Sequence, residues 1–337
     1  ARLDRLGDTT KRVAFAASVH GRSFTRQGIE IALGVELAPD AVADELRKLA
    51  DEGYVTEETR GTEQVFTFSH ALVQEAIGES MTFALRRKVN ARLSQWWSTQ
   101  SGPEAIQRRA RHLVQSLAPE ESDPDVLTRA IEALEAAAQN AAGEVANLEA
   151  SQFQEHAIGF AERLPDTKES RRKCLHLLAS RAYSLALFRG YGDPTVEEAY
   201  QRALSFSAKV DQEEDLVFTL YGLFSFYASR GDYRDSAPIL RRINRLSLDS
   251  DDPKMPSFLH HTQAIQALLR GRVSRGAELA ARSITVADEL GDGLFFSHSG
   301  AGDWRIYSGS WAALGMAVQG RWREAETTHV KAVHLGD

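Results

Sequence analysis

The chain has 337 residues, of which 43% are hydrophobic, and its formal net charge at pH 7 is -7. This length allows a large core and suggests two domains or one long repeat array. The single cysteine, Cys174, cannot form a disulfide within the chain, and no apolar run approaches the roughly 18 residues of a membrane span. No secretory signal pattern opens the sequence, so we expect a cytoplasmic protein without membrane contact. The negative charge disfavours a dedicated nucleic-acid binder.

The first hundred residues alternate helical and extended patterns. A first helix, capped by Thr9 or Thr10, is predicted to run to about Val19. Further helices are predicted at 24–33, 38–52, 71–82 and 84–97. Between the third and fourth helices, strands at 53–55 and 65–68 enclose a polar turn at 57–64. Helices, one β-hairpin and a further helix form the outline of a small winged-helix domain, predicted at 1–98.

A histidine stands where the second hairpin strand meets the next helix, in the run Phe68-Ser69-His70-Ala71-Leu72-Val73-Gln74-Glu75-Ala76. This run resembles the histidine motif that closes the winged-helix domain of the signal-transduction ATPases with numerous domains, the STAND class. Residues 2–6 and 19–24 resemble the start of that domain in bacterial cyclase-fused and LuxR-type members. In that class an acidic residue often follows the histidine, whereas Ala71 follows it here.

The resemblance implies an ATP- or ADP-binding parent, with an upstream nucleotide-binding domain as a partner. It also implies that His70 contacts a phosphate of bound ADP and holds the protein closed. The residues alone leave a second interpretation open, since a histidine at a strand-to-helix junction is often a helix cap or a buried hydrogen-bond partner.

The charges of the predicted third helix indicate what the winged helix contacts. In a DNA-reading winged helix, the helix before the hairpin enters the major groove. Here residues 38–52 carry five acidic and two basic side chains, and the following turn adds three acidic side chains against one basic. Phosphate repels such a surface, so we expect a protein-packing module. The alternative is the regulatory region of a LuxR-type transcription activator, with or without DNA contact by the winged helix.

The remaining chain is predicted as a connecting helix and linker at 99–125 and helical repeats at 126–337. Three segments share a glycine, a large apolar residue two positions later and then a small residue: Gly231 to Ala237, Gly271 to Ala277 and Gly320 to Ala325. Glycine can end one helix in the left-handed conformation, the apolar residue can fill the elbow, and the small residue permits close helix crossing. The pattern resembles the tetratricopeptide repeat, so the fold class is predicted to be mainly all-α, ending in an α-solenoid.

Earlier repeat helices are predicted at 150–164, 173–188 and 196–208. Residues 189–200 resemble the repeat region that follows the ATPase in cyclase-fused STAND proteins, which favours a class III adenylate or guanylate cyclase as the parent.

The sequence contains none of the patterns that catalysis requires. It lacks a G-x-x-x-x-G-K-[ST] phosphate loop, so we expect the catalytic core of the parent upstream of Ala1, and we expect both chain ends to fall inside a longer protein. Adjacent His260 and His261 point about 100° apart on a helix and cannot readily share a metal. Cys174 is predicted to be a core residue. The segment 297–300 lacks the strand and elbow of a hydrolase serine and is predicted to be a loop.

Aromatic residues are concentrated on two predicted repeat helices. Core packing is the simpler explanation; the alternative is a groove for a protein or peptide effector, lined by Tyr221, Phe224, Trp304, Tyr307 and Trp311.

The leading hypothesis is a non-catalytic regulatory segment without a cofactor of its own. ADP in the parent and His70 favour a closed state, and an effector on the repeats favours an open one. An enzyme with an unrecognised site is a further alternative that no residue pattern supports.

Overall fold

The computed structural model describes residues 6–60, 63–207, 213–291 and 304–334. Within these ranges the protein is mainly α-helical, with sixteen α-helices, one short 3-10 helix and one three-stranded sheet. The predicted all-α class is confirmed. The chain divides into two compact units, Ala1–Asn140 and Ala141–Asp337. This division falls inside a helix, C-terminal to the linker predicted at 99–125.

The first unit contains seven of the α-helices, the last of which extends into the second unit. Its elements are α1 Asp8–His20, β1 Ser23–Thr25, α2 Arg26–Leu33, α3 Pro39–Asp51, β2 Val55–Arg60, β3 Glu63–Phe68, α4 Ala71–Glu79, α5 Phe83–Trp97, α6 Pro103–Ser116 and α7 Pro124–Gly143.

The sheet has one strand more than the sequence predicts. Strand β3 lies in the centre and pairs antiparallel with β2 and with β1, where Phe24 stands opposite Phe66. The sequence places Phe24 in a helix, but α2 begins only at Arg26, because the Thr25 side chain caps it by accepting a hydrogen bond from the Gly28 N–H at 3.2 Å. The hairpin strands are also longer than predicted. Polar residues assigned to a turn continue the pairing as far as Arg60 and Glu63.

Apolar residues from the sheet and from helices α1 to α5 form the core of the first unit. On α3, Val42, Leu46 and Leu49 recur at helical spacing and are fully buried. They join a cluster that includes Phe24 and Phe68 of the sheet. This core holds the junction between β3 and α4 in a defined position.

The second unit consists of consecutive helices that pack against their neighbours in the chain as helical hairpins. Its helices are α8 Asn147–Ala161, α9 Lys168–Arg189, α10 Pro194–Ser207, α11 Glu213–Ser229, α12 Tyr233–Asp249, α13 Met255–Leu269, α14 Val273–Leu290, α15 Trp304–Val318 and α16 Trp322–Val333.

The three signature glycines make equivalent turns between paired helices. Gly231, Gly271 and Gly320 have φ values of 77°, 72° and 79°. In each turn the next residue donates its N–H to the carbonyl five residues earlier, over 2.8 Å, 2.8 Å and 3.0 Å. Glycine is favoured here because a side chain makes this left-handed backbone unfavourable.

The two other signature positions match their predicted roles only in part, since the predicted small residues Ala277 and Ala325 are buried. The large apolar residue does not fill the elbow in two of the turns, since Tyr233 is 44% exposed and Trp322 is 69% exposed. The small residue that packs stands five positions after the glycine, as Ser236, Gly276 and Ala325, all buried. A Cβ on Gly276 would lie 2.4 Å from Leu268 Cγ, so this position sets how closely α13 and α14 cross.

A fourth turn of the same kind, with valine at the left-handed position, joins α7 to α8. Val145 takes the left-handed position with φ 62°, and the Ala146 N–H donates to the Ala141 carbonyl at 2.8 Å. The sequence pattern does not reveal this turn because valine stands where the other three turns have glycine.

Candidate functional site

His70 lies on the surface at the start of α4. It is the N-cap residue with extended backbone, φ -139° and ψ 135°, and its side chain makes no capping hydrogen bond. The residue is exposed. The helix-cap and buried-partner interpretations therefore do not describe this histidine, which is accessible to a molecule outside the first unit.

The helix that follows His70 has one buried and one exposed side. Ile77 is fully buried, and the Gln74 Nε2 atom donates to the Ser18 carbonyl at 3.0 Å, which fastens α4 to α1. Leu72 is 77% exposed. Glu75 and Ala76 are exposed as well.

The acidic helix α3 exposes fewer charges than its sequence contains. Glu45 is buried and accepts hydrogen bonds from the Thr10 hydroxyl and from Lys48 Nζ. Burial alone would raise the pKa of Glu45, but these hydrogen bonds outweigh it and lower the pKa. Asp40, Asp44 and Asp51 remain exposed on the helix.

The second unit contains a pocket of about 720 Å³ that is lined mainly by aromatic side chains. Helices α9, α10, α11, α13 and α15, the first residue of α12, and the turns that follow α9 and α11 all contribute. Phe218, Phe224, Ile265 and Leu269 supply apolar surface, together with Trp311. Six tyrosines complete the aromatic lining: Tyr183, Tyr191, Tyr200, Tyr221, Tyr233 and Tyr307.

Two tyrosine hydroxyls meet across the pocket. The Oη atoms of Tyr183 on α9 and Tyr307 on α15 lie 3.2 Å apart, and either can donate the hydrogen bond. Burial is the main cause that raises the pKa of Tyr183, and of Tyr191 and Tyr221, above its ordinary value. These phenols therefore remain uncharged at neutral pH.

A third tyrosine connects the pocket to a buried polar network. The Tyr221 hydroxyl lies 3.1 Å from His261 Nε2, and His261 Nδ1 lies 2.9 Å from the Ser308 Oγ. Ser308 in turn lies 2.9 Å from the Ser283 Oγ. Burial lowers the pKa of His261 to about 3, so its ring is neutral and can donate through only one nitrogen.

The tyrosines are held by close contacts from neighbouring helices. Tyr200 is among the largest fully buried side chains, and its ring packs against Gly222 of α11. The rings of Tyr183 and Phe218 lie 5.8 Å apart, a separation typical of aromatic pairs. The pocket wall is therefore preformed.

Four of the five residues predicted for an aromatic groove line this pocket: Tyr221, Phe224, Tyr307 and Trp311. The side chain of Trp304 lies outside the described residues. The sequence missed Tyr183, Tyr191 and Tyr200, because they come from a different helical pair and no short-range pattern connects them to α11 or α15.

The other residues that the sequence analysis weighed as sites are His260, His261, Cys174 and the segment 297–300. His260 is half-buried and its neighbour His261 belongs to the buried network. Among the described residues, no group of three or more metal-ligating side chains is assembled. Cys174 is buried, and the segment 297–300 lies outside the described residues. None of the helices described here combines the length and hydropathy needed to cross a membrane.

No protein-family model matches the chain, and no curated protein matches it. Solved structures with a similar arrangement exist at low identity. BtubC from P. vanneervenii is 15% identical over 73% of this chain and 90% of its own, with a TM-score of 0.48. Aspartyl phosphate phosphatase F from Bacillus subtilis is 11% identical over 98% of this chain and 95% of its own, with a TM-score of 0.47.

A STAND protein with a tetratricopeptide repeat sensor from Pyrococcus horikoshii is 13% identical, with a TM-score of 0.36. The match covers 99% of this chain and 51% of that protein, so the chain spans about half the length of this neighbour.

Proposed function

We propose that the chain is a non-catalytic regulatory segment of a multidomain STAND-type ATPase in the cytoplasm. Residues 1–98 of the first unit form a winged helix that packs on an upstream nucleotide-binding domain, and the repeats receive a signal from an effector. The observation that carries this proposal is the exposed start of α4, where His70 and Leu72 both lie on the surface directly after the hairpin.

The order of elements supports the winged-helix assignment. Three helices precede a β-hairpin, β1 joins the sheet from between α1 and α2, and α4 follows the hairpin directly. The exposed charges support a protein partner over DNA. Asp40, Asp44 and Asp51 are exposed on α3, and the Arg47 guanidinium already pairs with Asp44 at 2.7 Å. Phosphate would meet a net negative surface.

The residues around His70 fit contact with a nucleotide phosphate. The imidazole is exposed at the N-terminal end of α4, and no side chain caps that end. An anion is favoured at a helix N-terminus by the backbone N–H groups and the helix dipole. When bound, ADP supplies phosphate oxygens that can accept a hydrogen bond from the ring. His70 would then hold the winged helix against the nucleotide-binding domain.

The exposed apolar side chain Leu72 supplies a second part of the proposed contact. Its burial against an upstream domain would contribute up to about 2 kcal/mol in the closed state. An effector that binds the repeats better in the open state would shift the population away from that contact. We propose a class III cyclase as the output domain of the parent.

The proposal is tested in the full-length gene product that contains this chain. A hydrogen bond to a charged group contributes about 1.5–3 kcal/mol, so His70→Ala is expected to make ADP dissociate roughly 10 to 100 times faster and to raise basal activity. The measurement is the release of labelled ADP from the purified protein.

The matched control is His329→Ala, which removes an exposed histidine from α16. It should leave ADP release unchanged. If ADP release from the His70→Ala protein equals that of the wild type, His70 is not the latch.

A further inference from the structure

The polar groups of the tyrosine-lined pocket are almost all uncharged. Among the described residues that line it, Arg230 alone carries an ionised side chain. Its Nε atom lies 3.2 Å from Asp232 Oδ2, and its Nη1 atom donates to the Gly192 carbonyl at 3.3 Å. Its guanidinium also lies over the ring of Phe226, 5.5 Å from the ring centre. Arg230 therefore has three neighbours in the protein that compete with a charged ligand.

The interior of the pocket presents hydroxyl groups between aromatic faces. Tyr183 and Tyr307 bring their hydroxyls within 3.2 Å of each other, so one ligand oxygen placed beside them could bond to both. An ion in this position would lose its hydration without a counter-ion, which is unfavourable. An uncharged oxygen loses less hydration free energy, and hydrogen bonds with the phenols can offset that loss.

The pocket volume agrees with an occupant of small-molecule size. Sites for cofactors and drug-sized ligands occupy about 300–1,000 Å³ and combine apolar walls with a few polar groups. At about 720 Å³, the pocket lies inside this range. The same space is much larger than one peptide side chain requires.

We propose that this pocket binds an uncharged small molecule with a largely apolar, ring-containing body and at least one oxygen that hydrogen-bonds to the tyrosine hydroxyls. The inference rests on the proposed sensor function of the repeats, because it names the chemical class of their effector. Binding would connect helices α9, α11 and α15 through Tyr183, Tyr221 and Tyr307.

The buried network offers a route by which binding would affect the helices. Tyr221 lines the pocket and bonds to His261, and His261 bonds to Ser308, the neighbour of Tyr307 on α15. A ligand oxygen that competes for the Tyr221 hydroxyl would alter a bonded series that joins α11, α13 and α15. The ligand would thereby change the relative stability of two arrangements of these helices.

The test measures binding of four probes that share one ring system to the 337-residue chain by isothermal titration calorimetry at pH 7. The probes are 1-naphthol, naphthalene, 1-naphthoate and (1-naphthyl)trimethylammonium. We expect 1-naphthol to bind saturably, and we expect the two charged probes to bind at least about tenfold more weakly. The affinity of naphthalene should lie between that of the charged probes and that of 1-naphthol, because naphthalene fills the pocket but makes no hydrogen bond.

Two pairs of variants locate the site. Ser225→Trp fills the pocket and should abolish 1-naphthol binding, whereas Ser205→Trp adds the same bulk to an exposed position of α10 outside it. Tyr183→Phe removes one pocket hydroxyl. It should weaken the binding of 1-naphthol by about 3- to 10-fold and leave the binding of naphthalene unchanged. Tyr227→Phe is the control for this change, since the Tyr227 hydroxyl bonds to Glu197 outside the pocket. Circular dichroism verifies that each variant is folded.

Several outcomes would overturn the proposal. Tighter binding of the ammonium probe would identify a cation cage instead, and tighter binding of 1-naphthoate would identify an acid site at Arg230. Absence of saturable 1-naphthol binding would contradict the proposed site. An equal loss of 1-naphthol affinity in Ser225→Trp and Ser205→Trp would contradict it as well. These results are independent of ADP release from the His70→Ala protein. Failure of the ligand site and failure of the ADP latch are therefore distinguishable.

Discussion

At the scale of single residues, Val145 occupies a backbone conformation that its side chain disfavours. Its φ of 62° lies in the left-handed region, where an L-residue costs roughly 1–2 kcal/mol and a β-branched one is an outlier. The three equivalent turns place Gly231, Gly271 and Gly320 at this position. The side chain of Val145 is 79% exposed, so little packing compensates the strain.

Val145→Gly is therefore expected to raise the free energy of unfolding by up to about 1 kcal/mol, since the relief of strain exceeds the entropy cost of glycine. Urea unfolding followed by circular dichroism measures the change. The reciprocal variant Gly231→Val should lower the free energy of unfolding, because valine is strained in this left-handed conformation. Nothing lies within 4 Å of the added Cβ, so backbone strain is the only cause of the loss. A stability loss in Val145→Gly would show that the valine is not strained.

The position of His70 in the chain is predictable from the sequence, but its exposure is not. Its neighbours in the sequence indicate a strand-to-helix junction, and the structure places that junction at Phe68 and Ala71. Whether the ring is buried depends on what packs over α4, and no local pattern contains that information. The exposure of His70 is a tertiary result.

At the scale of helices, glycine has opposite effects depending on its neighbours. Gly276 of α14 stands against α13, where an added Cβ would lie 2.4 Å from Leu268 Cγ and 3.1 Å from the Ala264 carbonyl oxygen. Gly159 of α8 is exposed, with nothing within 4 Å of an added Cβ. Both are interior helical positions, where alanine is intrinsically favoured by about 1 kcal/mol.

We expect Gly159→Ala to raise the free energy of unfolding by about 0.5–1 kcal/mol and Gly276→Ala to lower it by about 1–3 kcal/mol. The difference arises because the second substitution pushes α13 and α14 apart. Thermal and urea unfolding of the two variants provide the comparison. Equal stabilisation in both would mean that the helix crossing at Gly276 can relax without cost.

At the scale of the whole molecule, buried histidines make stability depend on pH. Burial lowers the pKa of His20 to about 3, with smaller contributions from Arg108 and His112. The pKa of His112 is lowered to about 4, and that of His261 to about 3, again mainly by burial. Each ring is neutral in the folded protein and accepts a proton more readily once unfolded.

Because the folded pKa values lie below the unfolded value near 6.5, the unfolded state binds more protons as the pH falls. The stabilisation is complete above pH 6.5 and declines below it, by about 1.4 kcal/mol per pH unit for each histidine. Urea unfolding at pH 7 and pH 5 should show this loss. His261→Gln should reduce the slope for the second unit, and identical stability of the wild type at both pH values would contradict the assignment.

Much of the architecture follows from local chemistry in the sequence. The helical periodicity of α3 and the three glycine turns predict mainly helical structure and paired helices, because propensity and backbone conformation act within a few residues. The predicted cap of α1 at Thr9 or Thr10 is wrong, since α1 begins at Asp8 and Gly7 is its N-cap residue. For the aromatic residues of α11 and α15 the sequence favours core packing and leaves a groove as the alternative. Tyr221, Phe224, Tyr307 and Trp311 line one pocket, and Phe224 also belongs to a buried core cluster against which Tyr221 and Trp311 pack.

Only the tertiary structure decides the features that depend on distant residues. Strand β1 forms because β3, more than forty positions away, offers a free edge for pairing. Tyr183 and Tyr307 are separated by 124 positions and meet through the stacking of four helical pairs. Sequence by itself determines most of the helices and the three glycine turns, whereas strand β1 and the turn at Val145 are seen only in the structure. Long-range packing determines which side chains meet, because that depends on the accumulated geometry of every helix crossing between them.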